Sequence, residues 1–470
     1  MVRILAAVSA AEVVASGAVL ALHPTAARSA ALVRSAPATT TSTSVVDDPT
    51  TLAPPPSTSP PSTAAPAPPP STLPADPVAR LAARLDAALG NVSSCLVVQD
   101  SGATAYARGP QLALAPASTQ KLLVAVAALK RLGPDYRFET TVVAPSRPAP
   151  DGTVDALWLV GAGDPMLATP EYAAHLASEP RTAGAPVTPM SALVDQLAAA
   201  GVRSARNGVH GDDSRYAGPR WLPGWKPIYR DEADISPLSA LTVNGGLDNW
   251  DPSDVVTADP TSLSAMQLSR LLRGRDIDAA PGTNQARPTG GVVLARVASA
   301  PLSEIVASML RSSDNLAAEL LVKELDKATG GTGTTAGGLA LVTSTLQTLG
   351  IPVGGLHLGD ASGLDPGDRA TCPTLLAAVN TGDTPTFASV LNGLAVAGRS
   401  GTLATRFVGS PIAGHLLAKT GWIDCAAAMV GQVDLRRPLH FALIVNGPCN
   451  YDTALGFEDR VAYALAAYPG

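Results

Sequence analysis

Pro116-Ala117-Ser118-Thr119-Gln120-Lys121-Leu122-Leu123-Val124-Ala125-Val126-Ala127-Ala128-Leu129 is the stretch on which the reading of this chain turns. Leu122, Val126 and Leu129 share one helical face, Pro116 stands just before the start, and Gly133 follows as a stop. This spacing predicts a buried helix with Ser118 at its N-terminus. Ser118 and Lys121 are three positions apart, so the lysine nitrogen can reach the serine hydroxyl on one face. A serine hydroxyl is a poor nucleophile until a nearby base takes its proton. Lysine can be that base only when neutral, which requires burial, a neighbouring cation or the positive end of a helix. Composition sharpens the point: six of the 33 basic residues are lysine (Lys121, Lys130, Lys226, Lys323, Lys327, Lys419) and the rest are arginine. Arginine does not give up its proton in proteins, so it cannot take over this role.

Two more short motifs follow in order, Ser313-Asp314-Asn315 and Lys419-Thr420-Gly421. Each motif alone is a weak signal. In order, with the first opening a helix and the last closing a strand, they resemble the S-x-x-K, S-D-N, K-T-G set of β-lactamases and penicillin-binding proteins. If the motifs converge, Lys419 supplies the second cation. The helix N-terminus would direct backbone N–H groups at a developing oxyanion. Gly421 would leave room for a substrate backbone beside its strand.

Working outward, Arg3 precedes an apolar run from Ile4 to about Leu22 and a small-residue exit to Ala30. That layout predicts an export signal over 1–30, cleaved or kept as a tether, and a chain lying outside the cytoplasm. Residues 31–77 are dominated by Pro, Thr, Ser and Ala and predict an unfolded linker. Beyond it, helices are expected over Asp76–Leu89, Leu302–Leu310, Asn315–Leu325 and Asp459–Ala467. Strands are expected at Cys95–Val98 and Ala156–Val160, then at His415–Lys419, Ile423–Val433 and Leu439–Val445. Helical pattern fades between Thr140 and Ala298, so the expected division is 78–139 and 299–470 around an inserted α+β region at 140–298.

The 470 residues are 46% hydrophobic and 15% charged, with net charge −6, enough for a sizeable core. No basic patch points to nucleic acid. The six histidines (His23, His175, His210, His357, His415, His440) lack metal-ligand spacing, and neither metal nor cofactor is expected. The four cysteines form no C-x-x-C pair. Pairing Val433 with His440 across the last hairpin sets Cys425 opposite residue 448, one position from Cys449, and predicts a Cys425–Cys449 disulfide.

The wider chain resembles the D-alanyl-D-alanine carboxypeptidase/endopeptidase family of the penicillin-binding protein 4 type. The matching stretches are Leu159-Val160-Gly161-Ala162-Gly163-Asp164-Pro165, Gly211-Asp212-Asp213-Ser214-Arg215-Tyr216 and Ser313-Asp314-Asn315-Leu316-Ala317-Ala318-Glu319. Asp360-Ala361-Ser362-Gly363-Leu364 and Gly401-Thr402-Leu403-Ala404-Thr405-Arg406 continue the match. The resemblance implies an α/β (α+β) penicillin-recognising domain of the transpeptidase/β-lactamase type, its antiparallel sheet flanked by helices. It implies peptidoglycan stem peptides as substrate and β-lactams as covalent inhibitors. Ser118 would be acylated, Lys121 would be the base and Ser313 the proton relay to the leaving group. Asn315 would bind the substrate amide, and Lys419 with Thr420 the terminal carboxylate. The N–H groups of Ser118 and Trp422 would form the oxyanion hole, and Asp212 and Arg369 would contact the stem peptide. Trp422 departs from the hydroxyl residue common in the family after K-T-G, which implies a narrower or reshaped groove. A β-lactamase and a non-catalytic wall-binding module of the same fold stay open as alternatives.

Overall fold

The computed structural model describes residues 76–469. The expected signal and all but the last two positions of the expected linker lie outside the described residues. Asp76 caps the first helix, Pro77–Leu89, its carboxylate accepting the N–H groups of Val78 and Ala79 at 3.3 and 3.1 Å.

A six-stranded antiparallel sheet organises the chemistry. Its order is Ala395–Val396, Leu416–Ile423, Ala426–Asp434, Pro438–Asn446, Ser93–Asp100 and Ala103–Arg108. The strand nearest the N-terminus therefore lies beside the last strand, and residues from both ends of the described chain share one core. Side chains alternate between the two sheet faces. Val97, Val430, Ala442 and Ile444 pack with the helices Lys121–Leu132, Leu302–Ser312, Asn315–Ala328 and Cys372–Asn380. Their neighbours Val98, Met429, Phe441 and Leu443 pack on the opposite side with Pro77–Leu89 and the closing helix Tyr451–Ala466. The fold is thus an antiparallel sheet between helical layers.

Glu139–Ala298 builds a second sheet, ordered Asp278–Asn284, Ser204–Asp212, Leu157–Val160, Glu139–Ala144 and Val292–Ala298, with Thr153–Val154 paired to Ser204–Asp212. Helices Ser191–Ala199 and Pro260–Arg273 cover it through Leu193, Leu197, Leu263, Leu268 and Leu272. Among the described residues no helix is long and apolar enough to cross a membrane.

Three local expectations need correction. The strand carrying the third motif does not stop at Lys419; it runs Leu416–Ile423 through Gly421, which a close approach to the nucleophile turn keeps in line. The closing helix begins at Tyr451, eight residues earlier than expected, because Asn450 caps it by accepting Thr453 N–H at 3.0 Å. The last hairpin pairs Val433 with Leu439, not His440, so Cys425 falls opposite Gly447, whose N–H it accepts at 2.8 Å. Cys425 is bonded to Cys449, and Cys95 to Cys372, tying strand Ser93–Asp100 to helix Cys372–Asn380. A non-reduced digest analysed by mass spectrometry should yield these two linked peptide pairs. Free thiols, or a Cys95–Cys425 link, would contradict the arrangement.

Candidate active site

The helix bearing Lys121 is preceded by a 3₁₀ turn, Ala117–Gln120. In 3₁₀ geometry residues three apart eclipse one another. Lys121 Nζ consequently lies over Ser118 and donates to its Oγ at 2.8 Å. Ala117, just before the nucleophile, has a φ of 47°, in the left-handed region that an L side chain disfavours. Lys121 is fully buried and also donates to Asn315 Oδ1 and the Ser362 carbonyl, both at 2.6 Å. Three acceptors match the three hydrogens of an ammonium group.

The second motif is a helix–helix junction. Helix Leu302–Ser312 ends with Ser313 at φ 63°, ψ 40°, and Asp314 caps helix Asn315–Ala328 by accepting Ala317 N–H at 2.9 Å. That tight link places Ser313 and Asn315 on either side of the cap. Asn315 Nδ2 donates to the Asp234 carbonyl at 2.7 Å, which orients the amide so that its oxygen meets Lys121.

The third motif lies on an edge. Ala395–Val396 pairs only with Ala418 and Leu417, leaving the outer edge of Lys419–Ile423 free of a strand partner among the described residues. Lys419 is fully buried and donates to Ser313 Oγ at 2.8 Å and to the Thr420 carbonyl at 2.5 Å. Thr420 Oγ1 donates to Thr402 Oγ1 at 2.8 Å. A Cβ on Gly421 would come within 2.9 Å of Ser118 N and 3.0 Å of Pro116 O, both backbone atoms, so only glycine lets this strand lie against the nucleophile turn.

These residues border a cleft of about 730 Å³ lined by Ser118, Ser313, Asn315, Thr420, Gly421 and Trp422. Burial pushes Lys121 down to about 8, against the carboxylates of Asp360, Glu319 and Asp314, which act to raise it. Burial, reinforced by the cations of Lys121 and Arg181, holds Lys419 well below the ordinary lysine value. Two ammonium groups here repel one another, so the site favours carrying one proton fewer than two isolated lysines would.

Trp422 lines the cleft and packs edge-on against Tyr451, ring centroids 5.4 Å apart, beside the Cys425–Cys449 bridge. It shapes the rim beside Gly421. Asp212 and Arg369 are not brought to the cleft. Asp212 is buried at the end of its strand, with its carboxylate accepting the N–H groups of Ser214 and Arg287 at 2.9 and 2.8 Å. Arg369 folds back on the carbonyls of Pro366 and Asp368. Neither lines the cleft, and the recorded hydrogen bonds of both side chains are to neighbouring backbone groups.

Other residues at the cleft had no role in the sequence reading. Arg181 and Asp234 come from the second-sheet segment, and Arg181 Nε donates to the Ser312 carbonyl at 2.7 Å. Thr402 and the ion pair of half-buried Arg406 with buried Glu458, 2.7 Å apart, border the side next to Thr420. Thr402 and Arg406 sit in a stretch that carried the family resemblance, which was the available signal; Arg181 and Asp234 carried none. Among the described residues no group of three His, Cys, Asp or Glu side chains is placed to hold a metal ion.

Comparison with known proteins matches residues 78–251 and 252–467 to the D-Ala-D-Ala carboxypeptidase 3 (S13) family. The chain is 34% identical over 389 residues to a carboxypeptidase DacB of Mycolicibacterium smegmatis, covering 78% of this chain and 80% of that one. It is 30% identical over 466 residues to a D-alanyl-D-alanine carboxypeptidase of Actinomadura sp., covering 82% and 83%. Penicillin binding protein 4 of Haemophilus influenzae shares the fold, with a TM-score of 0.67 at 19% identity, covering 81% of this chain and 98% of that one.

Proposed function

This chain belongs to the D-Ala-D-Ala carboxypeptidase 3 (S13) family, and from that premise we infer that its cleft removes terminal D-alanine from peptidoglycan stem peptides through an acyl-enzyme on Ser118. It is a serine-type D-Ala-D-Ala carboxypeptidase that faces the cell wall and binds β-lactams. The observation that carries the residue assignment is the pairing of two hydroxyl–lysine couples across one cleft. Ser118 Oγ meets Lys121 Nζ, and Ser313 Oγ meets Lys419 Nζ, each at 2.8 Å.

The chemistry follows from those couples. A substrate peptide lies along the free edge of Lys419–Ile423, with its terminal carboxylate at Lys419 and Thr420. That carboxylate favours the charged form of Lys419, and the restored ammonium in turn favours the neutral form of Lys121. Neutral Lys121 takes the proton of Ser118 Oγ as the oxygen attacks the carbonyl carbon of the penultimate D-alanine. The N–H groups of Ser118 and Trp422 receive the developing oxyanion. As the C–N bond breaks, Ser313 passes a proton to the departing amine and is recharged from Lys419. Water then attacks the ester carbonyl, its hydroxyl going to the acyl group and one proton to Ser118 Oγ. The proton held by Lys121 returns to Lys419, so that both lysines are reset.

Residues 78–139 and 299–470 share one sheet and core, while Glu139–Ala298 builds a sheet of its own. This supports reading 140–298 as an insert that walls one side of the cleft. We also read 1–30 as an export signal or membrane tether and 31–77 as the spacer behind the enzyme. The test of function incubates the chain with a peptide ending in D-Ala-D-Ala and measures free D-alanine. Release is expected, together with its suppression by prior treatment with benzylpenicillin. No release, or rapid turnover of the penicillin without a lasting adduct, would favour the wall-binding or β-lactamase reading respectively.

A further inference from the structure

The segment Asp360–Asp365 holds five consecutive backbone N–H groups, from Ala361 to Asp365, and all five are taken by two buried carboxylates. Glu319 Oε1 accepts from Ala361 and Ser362 at 2.9 and 2.8 Å. Asp360 accepts from Gly363 at 2.7 Å, Leu364 at 3.0 Å and Asp365 at 2.8 Å. The product of this winding is one acceptor, the buried Ser362 carbonyl, aimed at Lys121 Nζ. Asp360 also binds the nucleophile turn. Gln120 Nε2 donates to its carbonyl at 2.6 Å and to its Oδ1 at 3.3 Å. Trp225, from the second-sheet segment, donates its indole N–H to Asp360 Oδ2 at 2.8 Å. Gly363 lies so close to the turn that a Cβ there would stand 2.1 Å from the Ala117 carbonyl. Glu319 sits four residues after Asn315 on one helix, so that helix supplies Lys121 with one acceptor directly and steadies another through Glu319.

We propose that Asp360 and Glu319 are positioning residues for the general base, winding the 360–365 segment so that its Ser362 carbonyl holds Lys121 against Ser118, with Trp225 locking Asp360 in place. The proposal rests on the assignment of Lys121 as base. It gives the second-sheet segment a part in catalysis through Trp225, although no side chain of that segment is asked to touch the reacting atoms.

Electrostatics make the role measurable. The groups facing Lys121 are Asp360, Glu319 and Asp314 on the anionic side and Arg181 and Lys419 on the cationic side. Burial together with the Asp360 charge pushes Glu319 up to about 8, and burial with the same charge pushes Asp368 up to about 10. Asp360 is the group whose charge acts on both of these carboxyls and on Lys121. Its charge favours the ammonium form of Lys121 and opposes the effect of burial. Taking that charge away lowers the Lys121 pKa, so the neutral base persists to lower pH.

The experiment measures the second-order rate of acylation by benzylpenicillin against pH for the full chain, Asp360→Asn and Trp225→Phe, with thermal melting followed by circular dichroism. Asp360→Asn should acylate about 10²-fold more slowly at its optimum, the scale of an ångström-sized misplacement, with the acid limb of its profile moved to lower pH. Trp225→Phe keeps the aromatic ring and the Asp360 charge and should lose about fivefold, the rate equivalent of one hydrogen bond, with little change in melting. An Asp360→Asn variant whose acid limb stays where the unmodified chain has it would reduce the carboxylate to a structural role and overturn the proposal. If that variant does not fold, a Trp225→Phe variant acylating at the unmodified rate would overturn it instead. Failure of the unmodified chain itself to acylate would strike the functional reading, a separate outcome.

Discussion

Replacing Ser118 by alanine should abolish both D-alanine release and penicillin labelling while leaving the melting transition in place. The hydroxyl is the atom that forms the ester, and loss of a nucleophilic serine costs about 10⁶ in rate where such residues have been removed singly. The fold should tolerate the change. Ser118 Oγ accepts one hydrogen bond from Lys121, which keeps Asn315 Oδ1 and the Ser362 carbonyl as partners, so no cation is stranded. The measurement is labelling with a fluorescent penicillin beside turnover of a D-Ala-D-Ala peptide. Undiminished stoichiometric labelling of Ser118→Ala would place the nucleophile elsewhere.

The two lysines should part company under the same substitution. Lys121→Arg keeps a charge but removes a group able to lose its proton, so acylation should fall by about 10²–10⁴, the range of a lost general base. Lys419→Arg keeps a cation for the substrate carboxylate, although a planar fork fits a site built around one nitrogen imperfectly. Its loss should be smaller and should show chiefly as weaker substrate binding. Both lysines are fully buried, so circular dichroism must accompany the rates. The pH profile adds a sign. With Lys121 near 8, acylation should climb as pH rises through that region, because the competent base is the neutral amine. If Lys121→Arg proves the milder change, the base is Lys419 acting through Ser313. The low proton affinity that burial and two neighbouring cations impose on Lys419 makes this the reading to be excluded.

The residues proposed to react were legible in the sequence because each of their local spacings has a physical reason that survives without tertiary context. Ser118 and Lys121 must share a turn, and the 3₁₀ form of that turn brings them together more directly than an α-helical one would. Gly421 was read as room for a substrate backbone at a strand end; the structure gives it a further reason, a mid-strand approach to the backbone of the nucleophile turn. The last hairpin was misplaced by one residue because the turn residues do not fix the register, yet Cys425 and Cys449 lie close enough to bond in either register. Asp212 was assigned through the family resemblance, not through any local spacing, and in the structure its carboxylate accepts two backbone N–H groups. Asp360, Glu319 and Trp225 are separated by up to 135 residues; Asp360 and Glu319 fall in stretches that carried the family resemblance, but no spacing links any of the three to Lys121. Their contribution emerges only when the backbone N–H groups of Ala361–Asp365 are followed to their acceptors.

The central claim, that Ser118 is acylated in a cleft built from the three motifs, is tested most directly by locating the adduct. The chain is incubated with benzylpenicillin, its intact mass is measured, and a digest is sequenced by mass spectrometry. One penicilloyl group per chain is expected, persisting through the work-up and carried by Ser118 on the peptide that contains Ser118-Thr119-Gln120-Lys121. An adduct on any other residue, or none on a folded chain, would contradict the account.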